Sequence, residues 1–227
     1  MQYTKISIKT VLIALVTLTF ASCKKEGNME IPAVSALSFV NASPGSPDLN
    51  VFIGQNKANN DFFTFGANIN YLNAYSGERE VSFYQGTDKK ASGKFNLKDG
   101  KFYSVFLAGK WPETELVFLA DSLTRPAADK AHIRFVNMSK DAGVLNLGLT
   151  NGSTLVTGKA YKAASDYLAI KGNVSHTFVI RNSAALADTV SIPAVMLESG
   201  RSYTIWAKGL KAEAGSAALS IGLIRNY

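Results

Sequence analysis

Apolar and polar positions along this chain switch over short stretches, with a period close to two, and that pattern predicts strands. Runs 37–41, 49–53, 79–84, 102–108 and 115–120 are rich in Val, Ile, Phe and Tyr and are bounded by Gly, Asn, Asp and Pro. Runs 132–137, 144–149, 175–181, 202–207 and 217–224 have the same character. β-branched and aromatic residues suit a pleated, half-buried surface, and the bounding residues suit turns. Beyond the N-terminal segment no run of ten or more holds a helical period. The expected class is all-β.

These runs come in two matching sets. Leu37-Ser38-Phe39-Val40-Asn41-Ala42-Ser43 returns 96 positions later as Ile133-Arg134-Phe135-Val136-Asn137-Met138-Ser139, and Leu49-Asn50 returns as Leu145-Asn146. Leu97, Gly100, Lys101, Tyr103, Ser104, Val105 and Gly109 return 100 positions later as Leu197, Gly200, Arg201, Tyr203, Thr204, Ile205 and Gly209. Blocks in the same order, with the length change confined between them, indicate a duplicated unit. A period this long is a whole domain, since solenoid repeats are shorter. The stretch Arg125-Pro126-Ala127-Ala128-Asp129 has no apolar pattern and marks the boundary. Two tandem domains follow, at 36–126 and 129–227.

About 95 residues with six or seven short strands suits an immunoglobulin-like β-sandwich. Leu97-Lys98-Asp99-Gly100-Lys101-Phe102-Tyr103 and Leu197-Glu198-Ser199-Gly200-Arg201-Ser202-Tyr203 look like tyrosine corners. In that motif a turn precedes a central strand and the phenol bonds back to the backbone. Tyr103 and Tyr203 are therefore expected to be buried. Val105 and Ile205 stand where an antibody domain carries cysteine, so packing must hold each sandwich without a disulfide.

The N-terminal segment reads as an address. Lys5 and Lys9 precede the uncharged run 10–20, which is too short for a permanent membrane span. Ala21, Ser22 and then Cys23 follow, the one cysteine of the chain. This resembles a bacterial lipobox, in which the cysteine is acylated and becomes the new N-terminus. Phe20 replaces the usual leucine, as in lipoproteins of the Bacteroidetes type. The expectation is a lipoprotein signal peptide at 1–22, then an acylated Cys23 and a flexible tether at 23–35. Removal of Lys5 and Lys9 lowers the formal charge from +7 to +5.

With the repeat in view, the residues resemble the secreted domain of unknown function numbered 4397. Its members open on a strand of the form Arg-Val-Val-Asn-Ala-Ser-Pro, followed by Pro-x-Val-Asp-Val-Tyr. Here the first is Leu37-Ser38-Phe39-Val40-Asn41-Ala42-Ser43-Pro44 and the second is Pro47-Asp48-Leu49-Asn50-Val51-Phe52. Phe65-Gly66, Tyr71, Gly77 and the Leu97-x-x-Gly100-x-x-Tyr103 element extend the likeness. In the second copy Lys140-Asp141-Ala142-Gly143 replaces the proline-rich link. The resemblance implies a β-sandwich on exported proteins, often lipoproteins. It implies no activity.

Chemistry is thinly signalled. His132 and His176 are the only histidines, both on strand-like runs, and no Gly-x-Ser-x-Gly elbow occurs. Neither a metal site nor a cofactor is expected. The lysines at 57, 89, 90, 94, 98, 101 and 110 are scattered, so nucleic acid is not an expected partner. Asp121-Ser122-Leu123 and Asp188-Thr189-Val190 match a short acceptor pattern for O-glycosylation at Ser122 and Thr189. Tyr71, Tyr75, Tyr161 and Tyr167 are assigned to packing, and Trp206 to the core. Trp111, between two strand runs, belongs near a hairpin tip, where it folds back on its own sheet, fills the seam between the two domains, or offers a face to a sugar or partner.

The expected product is a non-enzymatic binding or structural lipoprotein of the outer membrane, on its periplasmic or cell-surface face. Its partners are the membrane, through the lipid, and a glycan or envelope protein. A glycan-active hydrolase and an accessory subunit of an uptake or adhesion complex are the rival readings. The oligomeric state is open.

Overall fold

A computed structural model describes residues 32–185 and 189–226. The expected signal segment 1–22, Cys23 and most of the expected tether lie outside the described residues. Residues 33–227 form one compact unit, and among its described residues the regular structure is strand, apart from one 3-10 turn at Gly215–Ala217. The fold is all-β.

The first copy supplies β1 (Val34–Asn41), β2 (Asn50–Ile53), β3 (Asn56–Lys57), β4 (Asn68–Tyr75), β5 (Gly77–Gln85), β6 (Asp88–Leu97), β7 (Phe102–Ala108) and β8 (Glu115–Asp121). They make two sheets, ordered β4-β1-β7-β8 and β3-β2-β5-β6. The second copy supplies β9 (Lys130–Asn137), β10 (Leu145–Leu149), β11 (Thr154–Lys159), β12 (Leu168–Lys171), β13 (Val174–His176), β14 (Phe178–Asn182), β15 (Thr189–Ser191), β16 (Val195–Leu197), β17 (Ser202–Lys208) and β18 (Ser220–Arg225). Its sheets run β12-β9-β17-β18 and β11-β10-β14-β15, with β13 pairing β16. Among the described residues no sheet mixes strands of the two sets.

Three apolar cores lie between the sheets. Leu37, Phe39, Val51, Phe83, Val105 and Leu107 fill the first sandwich, and Ile133, Phe135, Leu147, Ile180, Ile205 and Ala207 fill the second. The third core joins the copies: Val40, Phe106 and Val117 meet Val136, Trp206 and Ile224. The order is therefore four layers, with the β1 sheet and the β9 sheet back to back in the middle. This explains why β1, β7, β9 and β17 read as nearly unbroken apolar runs. A strand covered on both faces has no solvent side to mark with polar residues.

Seven strands, β3, β4, β6, β11, β12, β15 and β16, are absent from the runs expected above, and each lies at a sheet edge. β4, with three asparagines, and β6, with three lysines, lie at sheet edges, where polar and charged residues block unwanted pairing. β12 is the edge strand of the β9 sheet. The expected run 175–181 breaks at Thr177 into β13 and β14.

Both sandwiches point the same way. β1 pairs parallel to β7, and β9 parallel to β17. At the end where these strands finish, Lys110 binds Glu213 and Tyr161 donates to Glu115 at 3.0 Å. The Lys208 ammonium lies 5.7 Å from the centre of the Phe65 ring. We call this the far end. At the near end lie Val34, whose carbonyl accepts from Gly100 N–H at 2.8 Å, the linker 122–129, and Asn226.

Candidate functional site

The middle layers enclose a polar cluster among apolar neighbours. Arg134 of β9 donates to Asp121 of β8 at 2.5 Å, and both side chains are almost wholly buried. Its second terminal nitrogen donates to the Ser104 hydroxyl at 2.9 Å, and its Nε to Thr204 at 2.8 Å. Ser104 and Tyr71 both donate to Asp121, at 2.6 and 2.5 Å. Thr204 donates to Asn226 at 2.6 Å, and Asn226 Nδ2 reaches the Tyr71 hydroxyl at 3.3 Å. The guanidinium also lies over the Tyr167 ring, 5.1 Å from its centre. Burial pushes the Tyr167 phenol up to about 12. Burial, and then the charge of Asp121, raise that of Tyr71 further.

Strand registers show that this cluster is built from equivalent positions of the two copies. Leu37 pairs Tyr103 and Leu72, while Ile133 pairs Tyr203 and Leu168. Ser38 thus corresponds to Arg134, Ser104 to Thr204, and Tyr71 to Tyr167. Phe102 pairs Asp121, and Ser202 accepts from Asn226 N–H, so Asp121 corresponds to Asn226. Phe106 and Trp206, also equivalent, meet edge to face at 6.0 Å. The seam is a pseudo-two-fold interface whose two sides carry different polar residues.

A groove flanks the seam on each side. One, of about 550 Å³, lies between edge strands β4 and β18 and is lined by Asn68, Asn70, Tyr71, Phe102, Arg225 and Asn226, with Leu223 and Ile224. The other, of about 380 Å³, lies between β8 and the segment before β12, and is lined by Leu119, Arg134, Ala164, Asp166 and Tyr167 among others. The far end carries loops 42–49, 58–67 and 109–114 of the first copy with 138–144, 160–167 and 209–219 of the second. Phe62 stands 81% exposed there.

The residues singled out from sequence fall at separate places. Tyr103 is buried, and its hydroxyl accepts from Lys98 N–H at 3.1 Å; Tyr203 is buried, and its hydroxyl accepts from Glu198 N–H at 3.0 Å. Trp111 sits on the loop between β7 and β8, half-buried and packed on the core of its own sandwich, and its backbone N–H donates to Pro44 O at 3.1 Å. Trp206 is buried in the seam between the copies, not inside its own sandwich. Ser122 is exposed at the near end, while the preceding Asp121 is committed to Arg134. Thr189 opens β15, and Asp188 before it lies outside the described residues, as does Cys23. His132 lies in β9, and His176 Nε2 bonds to Lys171 O at 2.8 Å. Among the described residues no group of three or more His, Cys, Asp and Glu side chains could hold a metal ion, and no helix is long and apolar enough to cross a membrane.

Sequence reasoning passed over the seam residues and the amides of β4. One signal was present. Within blocks that otherwise match, the 96-residue offset turns Ser38 into a charged Arg134, and Asn68 and Asn70 into Ala164 and Asp166.

An all-β, sandwich-like fold with a polar seam between two of its sheets is the class this geometry defines. The model of the domain of unknown function DUF4397 matches residues 35–148, half of the chain, and the chain belongs to that family. The match starts in β1, covers the first copy, and ends within β10 of the second. No curated protein matches the chain.

Proposed function

We propose that this protein is a lipid-anchored envelope module that binds or supports a partner and catalyses no reaction. The observation that carries this reading is the polarity of the body. The chain enters at Val34, at the near end, so a tether from an acylated Cys23 joins there. The loops of both copies, with exposed Phe62, gather at the opposite end. Loops at one end of a sandwich, held by a rigid frame, are where such folds usually carry recognition. In this reading 36–126 and 129–227 are two domains of one rigid stalk, and the buried charges of the seam stiffen it.

The anchor and the partner are tested separately. Wild-type protein should enter the detergent phase and carry a lipid mass on Cys23, and Cys23→Ala should stay in the aqueous phase. Equal partitioning of both would overturn the anchor. A photoreactive amino acid at Phe62 should cross-link envelope protein or glycan in living cells, and one at Ala128, at the near end, should not. Equal labelling from both ends would refute the proposed polarity.

A further inference from the structure

The two grooves beside the seam occupy equivalent places and are lined by different polar residues. Along β4 the sequence Asn68-Ile69-Asn70-Tyr71-Leu72-Asn73-Ala74-Tyr75 sends Ile69, Leu72 and Ala74 into the sandwich core. Asn68, Asn70, Asn73 and Tyr75 are exposed, and Tyr71 is half-buried at the seam. Asn68 Nδ2 donates to Asn70 Oδ1 at 3.1 Å, which aligns two amides at the groove margin and leaves them an acceptor and donors to spend. Tyr71 and Phe102 meet edge to face at 5.2 Å and form an aromatic wall. The far wall is Leu223, Ile224, Arg225 and Asn226. In the opposite groove the places of Asn68, Asn70 and Asn73 are held by Ala164, Asp166 and Ala169.

We propose that the β4 groove binds a linear chain of neutral sugars. A sugar ring presents hydroxyls that both donate and accept, and a planar amide answers both from one side chain. Its C–H faces pack against aromatic and aliphatic walls. A shallow groove of about 550 Å³ holds a few sugar residues and stays open for a longer chain. An anionic ligand fits less well, because Arg225, the one cation lining the groove, is held by Glu198 at 3.0 Å. An extended peptide pairing with the β4 edge is the competing occupant. A bulge interrupts the β1–β4 register between Leu37 and Phe39, which disrupts the regular edge such pairing needs.

The proposal rests on the reading of the protein as a binding module, and the test keeps the two apart. The mature protein is titrated with linear hexasaccharides of β-1,4-glucose, β-1,4-mannose, β-1,4-xylose and α-1,4-glucose, with side-chain amide signals followed by NMR. The same titrations are run on Asn68→Ala/Asn70→Ala and on Trp111→Ala, each checked for a retained cooperative unfolding transition well above the titration temperature. At least one hexasaccharide should bind and shift the Asn68 and Asn70 amides, with affinity reduced roughly tenfold or more in the paired-asparagine variant. Trp111→Ala should bind as wild type does. Binding lost in Trp111→Ala and kept in the asparagine variant overturns the groove and leaves the module reading standing. So does a protein in which no hexasaccharide shifts the amides while Phe62 still cross-links an envelope partner, or in which an extended peptide is what shifts them. No binding to sugar and no far-end cross-link would defeat both.

Discussion

The two copies share one frame and differ most where they touch. Each puts a residue of its first strand, one of its seventh-strand equivalent and one of its last strand into the seam. The first copy offers Ser38, Ser104 and Asp121; the second offers Arg134, Thr204 and Asn226. A seam made of two first copies would bury two carboxylates with no cation, and one made of two second copies would bury two guanidinium groups. Only the mixed pair neutralises both. The apolar half of the seam shows the same compensation in volume. Phe106 pairs Val117 in the first copy, and the larger Trp206 pairs Gly222 in the second. The interface is thus specific for one arrangement through the different charge and bulk placed at equivalent positions.

The largest effects should come from breaking that pairing. Copy 36–126 produced alone should aggregate without forming a defined dimer, because Val40 and Phe106 would face water and Asp121 would lack its cation; sedimentation of a stable monomer would show that the seam is dispensable. In the whole chain, Arg134→Ala leaves Asp121 buried without its cation and should cost about 3–5 kcal/mol. Arg134→Ser with Asp121→Asn gives both copies the same neutral pair, so the double variant should be more stable than either single one. Urea denaturation of the four proteins measures the coupling, and simple additivity would mean that the pair does not hold the seam.

Next in size is the Trp206–Gly222 fit. A Cβ on Gly222 would stand 2.3 Å from Trp206 Nε1, with the indole itself fixed in the seam. Gly222→Ala should cost about 1–3 kcal/mol from overpacking. Trp206→Phe in the same chain, which approaches the Phe106–Val117 arrangement, should recover much of that loss. If the second change deepens the loss, the steric account fails.

How much of this was legible in the sequence depends on which face of a strand is asked about. The inward positions of both sandwiches, such as Phe39, Val105, Phe135 and Ile205, announce themselves by apolarity and by recurrence at fixed offsets. The tyrosine corners were readable because turn, glycine and tyrosine lie within seven residues of one another. The seam was not readable, because Ser38, Ser104, Asp121 and Arg134 carry the residue types of a solvated face. Their burial depends on partners in another sheet that no local pattern reveals. The β4 groove was obscured for a related reason: an edge strand rich in asparagine violates strand propensity and reads as a loop.

Smaller at neutral pH, but separable by titration, is the contribution of the buried phenols. Burial raises the Tyr71, Tyr161 and Tyr167 hydroxyls, with Tyr167 at about 12 against an ordinary 10.0. A phenol whose folded value is raised stabilises the fold fully below pH 10, and that stability is lost as the pH rises through the folded value. Urea midpoints should therefore hold steady up to pH 10 and fall between pH 10 and about 12. Tyr167→Phe should make that fall shallower. A midpoint that declines no faster in wild type than in the variant would show that Tyr167 ionises freely in the fold.

The smallest expected effect tests whether the copies remain equivalent where they do not touch. Tyr103 and Tyr203 occupy the same corner and hold backbone N–H groups at 3.1 and 3.0 Å. Replacing either by Phe removes one buried hydrogen bond and keeps the ring, so each should cost about 1 kcal/mol, equally in the two copies. The rings themselves have different company. Tyr103 stacks on Phe118 at 4.8 Å, and Phe118 on Phe95 at 4.4 Å. In the second copy Leu223 holds the place of Phe118, and among the described residues no aromatic ring pairs with Tyr203. Replacement by Leu should therefore cost more at Tyr103, by about 0.5–1.5 kcal/mol for the lost aromatic contact. Equal costs for Phe and unequal costs for Leu would place the divergence of the copies in ring packing and leave the corner itself shared. Unequal costs already at the Phe step would mean that the two corners have ceased to do the same work.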